Sequence, residues 1–162
     1  MANSKPVGVA YSDPALGAGT TLTGGAVTSS TVDSSTVGAT SPSTGNFTTL
    51  GATLNIKMPV ATVAATGSNQ GNAAAVLGGL TWVTAADATK GVVLPTPVSP
   101  FGEIVVIKND DTANAVLKVY PAGSGIINAL SASAAYSMAA KTSMMLVAYS
   151  ATQWFTVPLL AS

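Results

Sequence analysis

The chain has 162 residues, of which 48% are apolar and 7% charged, and its formal net charge is zero at pH 7; an average soluble domain is about 25% charged. It contains no His, no Cys and no Arg. These absences remove the commonest general base, the thiol nucleophile, disulfides and thiolate metal sites, and the side chain that leads phosphate and nucleic-acid recognition.

The six Lys residues are scattered, so no basic patch for nucleic acid forms in the sequence. No apolar run reaches the roughly 18 residues that a membrane-spanning helix needs. The first residues carry Lys5 and then Pro6 with no apolar stretch behind them, unlike a secretory signal. Synthesis in a cytoplasm is the plain expectation. So little charge predicts that much of the surface is hidden against copies of the chain or against a partner.

Residues 1–19 read as an extended leader punctuated by Pro6 and Pro14. Residues 20–55 form a Ser/Thr/Gly ribbon: between 20 and 53, 17 of 34 residues are Ser or Thr. Leu22, Val27, Val32 and Val37 fall on a beat of five that continues through Pro42 to Phe47 and Ala52. That beat fits neither the 3.6 of a helix nor the 2 of a strand. Short strands separated by turns would keep every Val on one side. Such a ribbon has too little apolar surface to fold alone, so order in it requires a surface to lie on. Ser30-Thr31-Val32 recurs as Ser35-Thr36-Val37, too few copies for a solenoid by themselves.

Residues 56–90 are a transition segment whose fold is left open. Its polar break, Gly67 to Asn72, precedes an Ala73-to-Leu77 run with the look of one helical turn. Leu80 to Thr84 alternates like a short strand. Residues 91–162 are the expected folded unit. Strands are predicted over 92–94, 103–108, 115–120, 126–127, 135–138, 143–149 and 153–157, with a hairpin turn at 109–114. Many short strands between turn signals predict an all-β fold, an extended arm followed by a small β-sandwich or barrel. The stretches Glu103–Lys108, with four apolar residues in its middle, and Met144–Tyr149 are apolar on both faces. A sheet with one wet face would alternate, so one face is expected against the core and the other against a neighbour.

Candidate chemistry is sparse. Asp110-Asp111 with Asn109 and Asn114 is the one acidic pair, suited to an oxygen-ligand Ca²⁺ site or to a solvated turn. The turn is preferred because the EF-hand spacing is missing. A glycosidase pair would need Glu103 beside an Asp. Ser–Lys pairs remain formally open as nucleophiles. Trp82, Trp154, Phe155, Tyr120, Tyr136 and Tyr149 suit core and subunit interface before sugar stacking. Within one strand Trp154 and Phe155 point to opposite faces, so one belongs to the core. No catalytic residue, cofactor or metal is expected.

The segment from Thr40 to Leu50 resembles the Thr-x-Pro-x-x-Gly-x-Phe-x-Thr-Leu segment of tailed-bacteriophage fibre and head-fibre proteins. Ile104 to Asn109, Val119 to Ser124, Ile127 to Leu130 and Thr152 to Phe155 are similar to virion surface proteins of the same phages. The resemblance implies a homotrimer, an N-terminal part attached to the virion and a β-rich C-terminal head. It identifies the chain as a head-fibre or capsid decoration (cement) protein of the virion, whose partners are its sister chains and the major capsid protein. The alternative is a short tail fibre or adaptor that recognises a host-cell glycan. The chain is far shorter than a long tail fibre, which favours the capsid. On this reading Leu22, Val27, Val32, Val37 and Phe47 face sister chains or the shell, and Trp154 is placed with them at the interface.

Overall fold

The computed structural model describes residues 55–77 and 79–159. Among them are ten strands and no helix: β1 (Val60–Ala64), β2 (Ala74–Ala75), β3 (Gly79–Thr84), β4 (Gly91–Val93), β5 (Ile104–Asn109), β6 (Leu117–Tyr120), β7 (Ile126–Ile127), β8 (Tyr136–Met138), β9 (Ser143–Ala148) and β10 (Gln153–Val157). They form a larger sheet of six strands, ordered β1-β3-β5-β9-β10-β7, and a smaller one of four, ordered β2-β4-β6-β8. The described part is therefore all-β. The leader and ribbon lie outside the described residues.

From β1 to β8, successive strands alternate between the two sheets. The chain winds, leaving one strand in each sheet per turn. Winding in one sense makes neighbours within a sheet parallel: β1 with β3, β3 with β5, β2 with β4, and β4 with β6. The sense then reverses. β8 runs antiparallel to β6, β9 antiparallel to β5, and β10 antiparallel to β9. Among the described residues, β9 and β10 are the one consecutive pair joined as a hairpin, closed by the Tyr149 N–H donating to the Gln153 carbonyl at 2.8 Å.

Two expectations change here. The loop over 109–114 is not a hairpin turn, because β5 and β6 belong to different sheets. Asn109 is fully buried and its Nδ2 donates to the carbonyls of Ala115 (2.9 Å) and Ala139 (3.2 Å). Asp111 Oδ2 accepts from the Ala115 N–H at 3.1 Å. These inward bonds bend the chain across the layers as an arch. Likewise, Ala73 to Leu77 makes no helical turn. Ala74 and Ala75 pair with Val92 and Val93, since an adjacent strand supplies hydrogen bonds that an isolated helical turn lacks.

Residues 56–90 contribute β1, β2 and β3. β1 pairs with β3, β3 with β5 and β2 with β4, so both sheets continue across residue 91. Gly91 sits where β4 lies tightly against β6. A Cβ there would stand 2.5 Å from the Lys118 carbonyl oxygen and 2.7 Å from the Tyr120 ring.

The core fills the space between the sheets. Val105, Ile107 and Leu146 of the larger sheet meet Val92, Leu117 and Val119 of the smaller, all fully buried. Each such side chain contributes about 1.5–3 kcal/mol by leaving water. Near β7 and β10, Asn128 acts as a polar clip. Its Oδ1 accepts from the Thr156 N–H at 2.9 Å and its Nδ2 donates to Thr156 Oγ1 at 3.0 Å.

Candidate interaction face

Strand register determines which side chains share a face, because cross-strand partners project on the same side. On the larger sheet one line of partners runs Val60, Leu80, Val106, Met145, Val157, across five strands. A second runs Ile104, Val147, Phe155. Both lie on the side away from the core. The alternate positions, such as Val105, Ile107, Leu146 and Trp154, are the buried ones. The outer face of the larger sheet is therefore apolar over two adjacent rows. Val60 is 59% exposed, Ile104 and Val157 are 45%.

A third row, Thr62, Trp82, Lys108, Ser143, borders the apolar ones. The Lys108 ammonium lies 5.4 Å from the Trp82 ring centroid and 3.1 Å from Asp110 Oδ1, while Lys141 reaches the same oxygen at 3.9 Å. Two ammonium groups thus share one carboxylate, and this border carries a net positive charge. At the other border the rings of Tyr149 and Phe155 meet edge-on with centroids 5.7 Å apart.

The outer face of the smaller sheet is different. Lys118 Nζ donates to Ser137 Oγ across the strands at 2.9 Å. Tyr120 gives its hydroxyl proton to the Ser68 carbonyl at 2.8 Å, and Gln70 Nε2 donates to the Pro121 carbonyl. These bonds tie the polar Gly67-to-Asn72 break to β6 and the residue after it. The smaller sheet is polar and partly dressed by its own chain. The larger one is apolar.

Among the sequence-derived candidates, Leu22, Val27, Val32, Val37 and Phe47 lie outside the described residues. Trp154 is 1% exposed and opposes Ala148 and Ile127 on the inner side of the larger sheet. It packs within its own chain, so it is Phe155, 36% exposed, that the strand turns outward. Alternation puts one of the two aromatics in the core; it cannot say which, and the inner side of β10 settles it. Trp82, Lys108 and Val60 escaped sequence reasoning as members of one face. The signal existed in the alternation of Leu80 to Thr84, but not the register that sets it beside β5.

Elsewhere chemistry is thin. Asp111 is turned inward, and among the described residues no three side chains of His, Cys, Asp or Glu gather in one place. Asp87 Oδ1 accepts from the Thr89 hydroxyl (2.7 Å) and from the N–H groups of Thr89 (3.0 Å) and Lys90 (2.8 Å). Those bonds, led by the Thr89 hydroxyl, hold its carboxyl well below the usual carboxylate range. Its role is to shape the turn before β4. A cleft of about 300 Å³ opens between β8 and β9, lined by Tyr136, Met138, Thr142 and Met144 among others, none of them charged. No protein family matches the chain, and no curated protein or solved structure does so either.

Proposed function

We propose that this is a structural protein of a tailed-phage virion, a capsid decoration or head-fibre protein that binds the assembled shell as a homotrimer. The observation that carries the reading is the apolar outer face of the larger sheet, on a chain whose charged fraction is only 7%. A face of that kind is stable in water when something covers it. The fibre-like segment from Thr40 to Leu50 supports the virion setting. The mechanism is mechanical: a protein that binds the assembled shell and not its free subunits stabilises the shell by mass action. Its partners are its own copies and the major capsid protein, and no side chain is assigned a catalytic role.

A second reading is a short tail fibre or adaptor that recognises a host glycan. The partly exposed Trp82, with Lys108 over its ring and Asp110 nearby, is the feature that favours it, because an accessible indole among polar groups is what a sugar contacts. Copy number per particle separates the two. Decoration predicts many copies per virion and shells that rupture at lower temperature when the protein is removed. Few copies, with cell binding by the isolated protein, would favour the adaptor. Absence from purified particles would overturn both.

A further inference from the structure

We infer that Trp82, Lys108 and Lys141 form a binding site for an acidic saccharide, the sugar ring resting against the indole and its carboxylate on the two ammonium groups. The inference rests on the glycan-recognition reading above and names the class of sugar.

Register builds the site. Thr62, Trp82, Lys108 and Ser143 are cross-strand partners in one row over β1, β3, β5 and β9, so they project on the same side. With strands about 4.8 Å apart, the row is roughly 14 Å long. It offers a hydroxyl at each end and an indole and an ammonium between them. Ser143 also lines the uncharged cleft between β8 and β9, so the row meets that hollow at one end.

The indole is the first recognition element. Trp82 is 39% exposed, although Lys108 Nζ stands 5.4 Å from its ring centroid. Its own chain leaves part of this large apolar ring in water, where the C–H groups of a sugar can cover it.

Charge is the second, and it selects an acid. Lys108 Nζ lies 3.1 Å from Asp110 Oδ1, and Lys141 Nζ reaches the same oxygen at only 3.9 Å. Lys141 also donates to the Asp110 carbonyl at 3.4 Å. Asp111 is turned inward, where its Oδ2 accepts from the Ala115 N–H. Each ammonium has three donors, and one outward carboxylate cannot balance two of them. A carboxylate brought by a ligand completes the pairing. A neutral sugar would cover the indole and leave that charge unanswered. An apolar ligand would take the ammonium groups from water without a partner. Two Lys without an Arg are too few for a nucleic-acid backbone.

The test titrates the full chain with an oligogalacturonate and an oligosialate. Neutral maltotriose and oligoglutamate, which has the charge without the sugar ring, serve as comparisons. The chain has two Trp residues and Trp154 is 1% exposed, so a change in tryptophan emission reads Trp82; calorimetry gives Kd. At least one acidic sugar is expected to bind about 10-fold more tightly than maltotriose or oligoglutamate, the scale of one charged hydrogen bond. Lys141→Gln should lose that preference and keep the affinity for maltotriose. Trp82→Ala should weaken every sugar by about 10-fold, and Asp110→Asn should tighten the acidic one by removing its competitor. Lys118→Gln, on the smaller sheet, should change nothing. Circular dichroism checks that each variant keeps its β signal.

Oligoglutamate binding as tightly as the acidic sugars would overturn the inference and leave a site for acidic peptide. Equal affinity for maltotriose and the acids would overturn the choice of an acid and leave glycan recognition standing. Acidic-sugar binding unchanged in both Trp82→Ala and Lys141→Gln would place the sugar elsewhere. Binding of neither acid by the folded chain would also overturn the inference, and cell binding by the isolated protein then tests the adaptor reading by itself.

Discussion

Trp154 and Phe155 are adjacent residues with opposite duties. Trp154 is the largest fully buried side chain, and its Nε1 finds no hydrogen-bond partner among the described residues. It is held by shape and apolar contact, which an indole supplies in quantity. Trp154→Ala should therefore cost about 3–5 kcal/mol through lost burial and the cavity left behind. Phe155→Ser should cost less, about 1–2 kcal/mol, since its ring is partly in water and loses chiefly the edge-on contact with Tyr149. Urea unfolding at low protein concentration checks both, and equal costs would show that the two positions are not divided between core and surface. The sequence alone announced the division by strand alternation without saying which residue takes which side. The periodicity of a strand is symmetric, and only what lies beneath β10 breaks the symmetry.

At the scale of elements, most strands were legible. β3 to β10 fall where β-branched and apolar runs between turn residues put them. β1 and β2 were not, because Ala and Thr dominate them and their stability comes from partners: β1 leans on β3, and β2 on β4. The hairpin expected over 109–114 failed for a related reason. Polar residues mark a turn but not the sheet to which the chain returns, and here the inward bonds of Asn109 and Asp111 send it to the other layer. Gly91 belongs to the same account. Its missing side chain lets β4 lie against β6 where a Cβ would meet the Lys118 carbonyl at 2.5 Å. Backbone cannot give way as a flexible side chain does, so Gly91→Ala is expected to lower the unfolding free energy by about 1–3 kcal/mol. Thermal melts would check it, and an unchanged midpoint would show that the paired strands adjust freely.

At the scale of the molecule, the alternation of strands between sheets makes residues 56–90 inseparable from the strands of residues 91–159. A chain beginning at residue 91 would lose β1, β2 and β3, baring the edges of β5 and β4. Bare parallel edges with apolar side chains are templates for aggregation. A fragment of residues 55–162 is expected to show a β spectrum and a cooperative melt, whereas one of 91–162 should aggregate or melt without cooperativity. Comparable cooperative melts for both would mean that the winding strands are an appendage.

By itself the sequence determined the class: all-β, charge-poor, without the residue types of common catalysis, and apolar on successive positions of β5 and β9. Composition and local periodicity carry that much, because each segment holds them alone. Tertiary structure decided which of those apolar positions became core and which became a shared outer face. Register across β1, β3, β5, β9 and β10 lines up residues far apart in the chain, and no local pattern encodes that alignment. The two apolar rows exist because non-local pairing fixes them side by side, and that is why the face emerged from the fold and not from any motif.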